Sequence, residues 1–428
     1  MSDTGPGGFQ RSMGLLQTTA SGVAIIVGAG IFVLLGPATE KAGGQVWLSF
    51  LVAGALCALT AFSYMELASM FPRAGSEYEF ARQVLPPSPS FAIGWAMAAA
   101  LVVASATVAL GFARYFGEFF DVDNRLVAIV VVLAASGVSA LGMADASKVI
   151  VAFATIQIGG LVVVVILGAP KIGDHSLTEG HGFGGVISGA ALVFFAFIGF
   201  DEVITLSEET RNPRRTIPRA LFLALMISAL VYAAVAVVAV SVLGADRLGS
   251  SLRPLADVAS VATGTGMGNV VTSLALVSTF STTILAITAA SRMVYSLAGT
   301  GMLPARFATV RDGRTPTAAL IAVCVAAVLL ASLGKLTTLA EATDALVYLM
   351  FLLTNYVVVV LRFRTPDAER PFRVAGAIGC VPVAPVAGFL VTVVLATRLD
   401  SGALVLAAAI VAVGFVIGLR KPEVSPNY

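Results

Sequence analysis

Charge is what this chain has least of. Asp, Glu, Lys and Arg make up 12% of its 428 residues, and the mean hydropathy is +0.96. A soluble domain carries about 25% charged residues. A water-exposed globule is therefore excluded, and nearly the whole chain belongs in a lipid bilayer. The net charge is only +2, with no basic cluster interleaved with aromatics, so a nucleic-acid partner is not expected. Cysteine is scarce too: Cys57, Cys324 and Cys380 fall far apart in apolar segments. They have neither metal-ligand spacing nor a disulfide framework and read as small buried hydrophobes. The two histidines, His175 and His181, share one polar connector. No paired acids, His/Cys cluster or nucleophile with its base falls within the apolar runs, so no enzyme, metal or cofactor is expected. A channel would need a continuous polar lining, which these runs lack. A single Arg11 precedes the first run, and no clear cleavage site follows, so a signal peptide is not expected.

What is present is a series of long apolar runs. A helical span needs about 20 such residues. The expected fold is all-α integral membrane, with twelve spans near 15–39, 46–71, 90–117, 126–142, 148–168, 184–207, 217–243, 268–297, 316–333, 339–362, 377–397 and 402–419. Pro86-Pro87-Ser88-Pro89, Asn212-Pro213, Gly313-Arg314-Thr315-Pro316 and Arg370-Pro371 punctuate the connectors. With the N-terminus inside, 18 of the 26 Lys and Arg fall on the inner side and 8 on the outer. The positive-inside rule then places both termini in the cytoplasm and the chain in the cell membrane, with 1–14 and 420–428 as cytoplasmic ends.

Two spans are interrupted. Ile26-Val27-Gly28-Ala29-Gly30-Ile31-Phe32 puts a Gly-x-Gly break in the first. Glycine weakens a helix interior, and lipid cannot satisfy the backbone groups that a break frees. The sixth span breaks at Phe195-Ala196-Phe197-Ile198-Gly199-Phe200-Asp201. Paired breaks are the mark of secondary transporters built from inverted repeats. Here they suggest a five-plus-five arrangement, 15–168 and 184–362, followed by two accessory spans over 377–419. The other reading of these glycines is close helix packing.

The ordered motifs are Gly28-Ala29-Gly30-Ile31-Phe32; Tyr64-Met65-Glu66-Leu67-Ala68 with Phe71-Pro72-Arg73-Ala74-Gly75-Ser76; Phe194 to Asp201, continued by Glu208-Glu209-Thr210-Arg211-Asn212-Pro213-Arg214-Arg215; Ser291-Arg292-Met293-Val294-Tyr295; and Arg370-Pro371-Phe372. By these, the chain from about Gly14 to Phe372 resembles the amino acid–polyamine–organocation superfamily, especially the cationic amino acid transporter branch and its bacterial relatives. The resemblance implies alternating-access transport of a small amino acid, by secondary active transport or exchange. An amino acid sensor on the same fold and a polyamine or amine transporter are the alternatives. A small accessory membrane subunit is compatible with it; the oligomeric state is open.

An amino acid brings a carboxylate and an ammonium. Free N–H groups at Gly28, Ala29 and Gly30 suit the first, and free carbonyls at helix ends suit the second. The resemblance assigns those carbonyls to Ile26, Phe195, Ala196 and Ile198, and makes Phe195 the aromatic that closes over substrate. Asp201 is an ionisable group inside the membrane, functional by default. A counter-charge, a proton carrier and a structural latch all remain open for it. Gly30→Leu is expected to abolish uptake while leaving the fold intact. Many proton-coupled relatives carry a lysine in span 5, where this chain has Gln157; Lys148 lies nine residues away, about 13 Å along a helix. Gln157 cannot titrate but can bond to the freed backbone of span 1. That favours exchange or facilitated transport. Sodium coupling would draw on span 8 hydroxyls, with Ser281 and Thr282 the candidate ion site, although such hydroxyls usually bond their own backbone. The connector 208–215 is expected to be a solvated turn or a salt-bridged inner gate.

Overall fold

The computed structural model describes residues 13–71, 77–141, 146–208, 210–310 and 316–419. Its helices are α1 (Leu15–Ile26), α2 (Gly30–Ala42), α3 (Val46–Met70), α4 (Glu77–Arg82), α5 (Pro87–Phe116), α6 (Asn124–Ala140), α7 (Ala146–Gly168) and α8 (Gly182–Val193). Then follow α9 (Pro213–Leu243), α10 (Ala245–Ser250), α11 (Pro254–Thr263), α12 (Thr265–Ala298), α13 (Thr317–Leu333), α14 (Leu336–Arg364), α15 (Val383–Ala396) and α16 (Ser401–Gly418). The only strands among the described residues are the two-residue pair Ala377–Ile378 and Val381–Pro382.

Six stretches are long and apolar enough to cross a membrane: Gly30–Met70, Pro87–Phe116, Pro213–Leu243, Thr265–Ala298, Leu336–Arg364 and Ser401–Gly418. Six shorter apolar helices accompany them. The chain is thus a helical, multi-pass membrane protein. Large apolar side chains such as Leu16, Ile166, Leu230, Leu333 and Val405 point outward, as lipid requires and water would not tolerate.

Small residues let the helices approach. Helix α5 packs against α6, α12, α13, α14 and α16. Its most apolar window is 83% inside the protein against 22% for α16, so α5 is a core helix and α16 an edge. A Cβ at Gly111 of α5 would sit 2.4 Å from Val33 Cγ2. The α2–α3 turn needs glycine as well. Gly43 has φ +66°, and a Cβ there would lie 2.6 Å from the Gly180 Cα.

Helices α1 and α3 lie against α9, and α2 and α3 against α8. The face where α1 begins is called the near face, and the opposite one the far face. Ion pairs tie both. At the far face Lys41 Nζ lies 2.5 Å from Glu341 Oε1. There a cleft of about 1040 Å³ is lined by residues including Thr39, Arg114, Glu179 and Asp246.

Three details differ from the sequence expectation. The run beginning at 377 opens as the tiny strand pair, because Gly376 and Gly379 take φ +74° and +62°; the helix starts only after Pro382. Pro87 is the first residue of α5 rather than connector, a position where its missing N–H costs nothing. The connector after α9 forms the short helices α10 and α11. Residues 1–12, the motif residues 72–76, Glu209 and 420–428 lie outside the described residues.

Candidate functional site

The first break follows from local geometry. Helix α1 stops at Ile26, and Val27 turns extended at ψ 90°. Its N–H still reaches Val23 O at 2.8 Å. Helix α2 restarts at Gly30, so its first N–H groups have no partner within the helix. The second break is sharper. A single 3-10 turn, Phe194–Phe197, ends at Ile198 with ψ 137°. Gly199 then takes φ +101°, and a 3-10 helix runs Phe200–Glu208.

The two breaks touch each other. A Cβ on Gly30 would stand 2.6 Å from Ala196 Cα and 2.8 Å from Ala196 Cβ. Around Gly28 there is room: the nearest atom to an added Cβ is Thr282 Oγ1 at 3.6 Å. The two glycines therefore differ in kind. Gly30 is a packing contact, and Gly28 leaves its backbone approachable. A leucine side chain at Gly30 has no space against Ala196, so Gly30→Leu is expected to disturb the fold as well as uptake.

Tyr232 of α9, which sequence reasoning missed, joins the breaks. Its hydroxyl lies 3.1 Å from Ile26 O and 3.0 Å from Ala196 O. Both carbonyls belong to the ends of interrupted segments. Tyr232 is fully buried, with its ring against Phe50 at 5.6 Å and Phe197 at 5.3 Å. Nothing in the apolar run of span 7 marks this tyrosine apart from its being the one hydroxyl-bearing ring there. On the far side of the first break, the Tyr115 hydroxyl donates to Phe32 O at 2.9 Å.

The other sequence-selected residues divide. Ile26, Ala29, Phe195 and Ala196 are buried around the junction, while Gly28, Ile198 and Asp201 are partly open. Gln157 is buried, but its Nε2 donates to Ser281 Oγ at 3.3 Å rather than to span 1. Ser281 Oγ in turn donates to Ser278 O, and Thr279 and Thr283 bond carbonyls one turn back. Those hydroxyls serve their own helix. The connector 208–215 is anchored by Arg211 N donating to Met13 O at 2.9 Å and by Thr18 Oγ1 3.3 Å from Thr210 Oγ1. The Glu208 side chain and Glu209, needed for the inner-gate reading, lie outside the described residues.

At the near face two motifs nearly 300 residues apart dock together. Glu66 of α3 receives Arg362 Nε at 3.0 Å and Nη2 at 2.6 Å, and the Val374 N–H at 2.8 Å. Arg370 Nε lies 3.3 Å from its other oxygen. Arg370 also donates to the carbonyls of Leu361, Thr365, Pro366 and Ala368, closing the end of α14.

Comparison with known proteins agrees with this architecture. A family model described as amino acid permease matches residues 13–423. A branched-chain amino acid permease of Bacillus subtilis is 28% identical over 89% of this chain and 86% of its own. The vacuolar cationic amino acid transporter 4 of Arabidopsis thaliana is 28% identical over 85% of this chain and 65% of its own. A methylthioribose transporter of Bacillus subtilis is 28% identical over 88% and 86%. The chain therefore belongs to the amino acid permease family of the amino acid–polyamine–organocation superfamily, a family of membrane transporters and not of enzymes.

Proposed function

We propose that this chain carries an amino acid across the cell membrane by alternating access, holding it at the junction of the two breaks. The observation that carries this reading is Tyr232, whose one hydroxyl sits between Ile26 O and Ala196 O. The ends of both broken segments thus converge on a single buried point. The substrate carboxylate takes the free N–H groups at Gly28, Ala29 and Gly30, aided by the positive end of α2. The ammonium takes carbonyls of Ile26, Phe195, Ala196 and Ile198, sharing them with the Tyr232 hydroxyl. Phe195, 7% exposed, closes over the bound amino acid.

The order of the elements supports twelve spans. In the first repeat, α1 with α2 forms one broken span, followed by α3, α5, α6 and α7. In the second, α8 with 194–208 forms the other, followed by α9, α12, α13 and α14. Helices α15 and α16 are accessory. The Lys and Arg bias makes the near face cytoplasmic.

The relatives are named for branched-chain amino acids, cationic amino acids and methylthioribose, so the family name leaves the side-chain class open. Labelled leucine, alanine, arginine and methylthioribose, offered in counterflow to purified protein in liposomes, test the reading and rank the substrates. Counterflow of an amino acid supports it. Counterflow of methylthioribose alone, or of none of the four, overturns it.

A further inference from the structure

Four acids are buried among the described residues, and three of them have partners. Glu66 is held by two guanidinium groups. Glu77, on α4, accepts the Tyr64 hydroxyl at 3.0 Å. Glu341, in the second turn of α14, takes Lys41 Nζ on Oε1 and the Asp400 N–H on Oε2, each at 2.5 Å. Asp344 is the fourth. It is fully buried, and neither of its carboxyl oxygens has a hydrogen-bond partner. No Lys or Arg of the described residues pairs with it.

The place of Asp344 gives that isolation a meaning. Glu341, Asp344 and Tyr348 are spaced three and four residues apart, so they share one face of α14. At the outer end of that face the Lys41 side chain reaches water, 29% exposed, above a Glu341 that is 3% exposed. At the inner end the Tyr348 hydroxyl is given to Ala191 O at 3.1 Å. Its ring lies 4.7 Å from that of Phe194, which opens the second break. Lys41 belongs to the last turn of α2, the far half of the first broken span. The Lys41–Glu341 pair therefore closes α2 onto α14, and Asp344 lies one turn beneath that closure.

We propose that Asp344 is a proton-binding site served from the far side, occupied while the Lys41–Glu341 pair is closed and emptied into far-side water when α2 and α14 part. This rests on the transporter reading above, which requires the far face to open.

Nothing packed on α14 offers an ionised Asp344 a partner. Helix α3 brings the buried Cys57 and, at the near end, Tyr64 and Glu66. Helix α5 brings Arg114, which lines the far cleft, and Tyr115, which is bonded to Phe32 O. The groups of α4, Glu77 to Arg82, lie at the near face. Helices α8, α15 and α16, the Phe194–Phe197 turn and the 381–382 strand carry no ionisable side chain. His181, before α8, is bonded to Lys41 O, and the Asp400 carboxylate, before α16, to the Gly402 N–H. From α2, Lys41 is spent on Glu341 and Glu40 is exposed. On α14 itself, Tyr356, Arg362 and Arg364 belong to the near half, and Lys335 is exposed at the far end. A carboxylate at Asp344 would be a buried charge without a donor, one turn from a second carboxylate, which is costly. The neutral acid avoids that cost.

The sign follows by linkage. In the open arrangement water reaches the carboxyl, and an ordinary aspartate, titrating at about 3.9, is ionised at neutral pH. The closed arrangement thus binds one proton more than the open one. Closing forms one O–H bond on Asp344 with a proton drawn from far-side water, and opening returns that proton to the same side. Low far-side pH favours the closed far face, and each unit of rising pH lowers the closed-to-open ratio by up to about tenfold. No proton crosses the membrane in this cycle, in keeping with the uncharged Gln157.

The test uses the full chain in liposomes with the same pH on both sides. Spin labels are placed at Glu40→Cys and Thr337→Cys, which line the far cleft from α2 and α14. Cys324 and Cys380 are replaced by serine, and the buried Cys57 is kept. As pH rises from about 5 to about 8, the ratio of short to long label distances is expected to fall about tenfold or more. Asp344→Asn, neutral at every pH, is expected to keep the low-pH ratio throughout. A trapped pH-sensitive dye should show no net proton movement during counterflow of labelled leucine, alanine or arginine. Distances that ignore pH in the parent protein, distances that respond equally in Asp344→Asn, or protons moving with substrate each overturn the inference. If Asp344→Asn does not assemble, Asp344→Ala, which also removes the titratable group, is read the same way. Counterflow in the same liposomes keeps the two readings apart. Its absence removes the transporter reading, whereas intact counterflow with pH-independent distances removes the proton site alone.

Discussion

Glu66 and Arg362 form a two-point ion pair, Nε to Oε1 at 3.0 Å and Nη2 to Oε2 at 2.6 Å, with both side chains 3% exposed or less. It fastens the near end of α3 to the end of α14, and Arg370 and the Val374 N–H complete the shell. Removing one partner of a buried pair strands the other charge, which costs about 3–5 kcal/mol. Glu66→Gln keeps the shape, removes the charge and leaves two guanidinium groups facing each other. We expect a clear fall in melting temperature in detergent and loss of assembled protein. An unchanged melting curve would show that this pair does not hold the near face together.

The two glycines of the first break should separate stability from binding. Gly30→Ala forces a methyl against Ala196, and overpacking of that kind costs about 1–3 kcal/mol. Gly28→Ala meets only Thr282 Oγ1 at 3.6 Å and should melt like wild type. A methyl there crowds the free N–H groups, so amino acid affinity should fall by tenfold or more, about 1.4 kcal/mol. Thermal unfolding and ligand binding on both variants check this. If Gly28→Ala binds as wild type does, the carboxylate does not approach that backbone.

How much of this was legible in the residues follows from what each signal encodes. Long apolar runs and their glycine interruptions are local, so both breaks and most helix positions could be read from composition and spacing. The junction itself is not local. Tyr232 is one aromatic in an apolar run, and its role exists only because α9 passes between Ile26 and Ala196. Glu66 and Arg370 stood out as motif residues, yet their partnership needs α3 and α14 to converge at one face. Glu77 falls in the polar stretch Glu77-Tyr78-Glu79 between two apolar runs, and nothing in that stretch marks it as buried. Only packing against Tyr64 reveals that it is buried. The strand pair at 377–382 was hidden for the opposite reason: its residues are apolar, and two positive-φ glycines, not hydropathy, decide its shape.

Tyr232→Phe keeps the ring packed on Phe50 and Phe197 and deletes one hydroxyl. A hydrogen bond of this type contributes about 1 kcal/mol net, and leaving a buried carbonyl without a donor adds to the loss. The melting temperature should therefore drop only modestly. Counterflow should suffer more, because both carbonyls that orient the ammonium lose their common anchor. If counterflow and melting are both unaffected, the hydroxyl neither joins the breaks in solution nor supports substrate.

Asp201 is the last and sharpest case, because three roles remained open for it. A counter-charge to a cationic substrate predicts that Asp201→Asn weakens arginine by about 1.5–3 kcal/mol, the worth of a charge-assisted hydrogen bond, and spares alanine. Asp201 sits in the 3-10 helix that follows the second break, two residues past Gly199, and that helix packs on α1, α3 and α9. We therefore expect arginine and alanine affinities to fall together or not at all. Side-by-side affinities for the two amino acids separate the roles. A loss confined to arginine would move Asp201 into the substrate pocket.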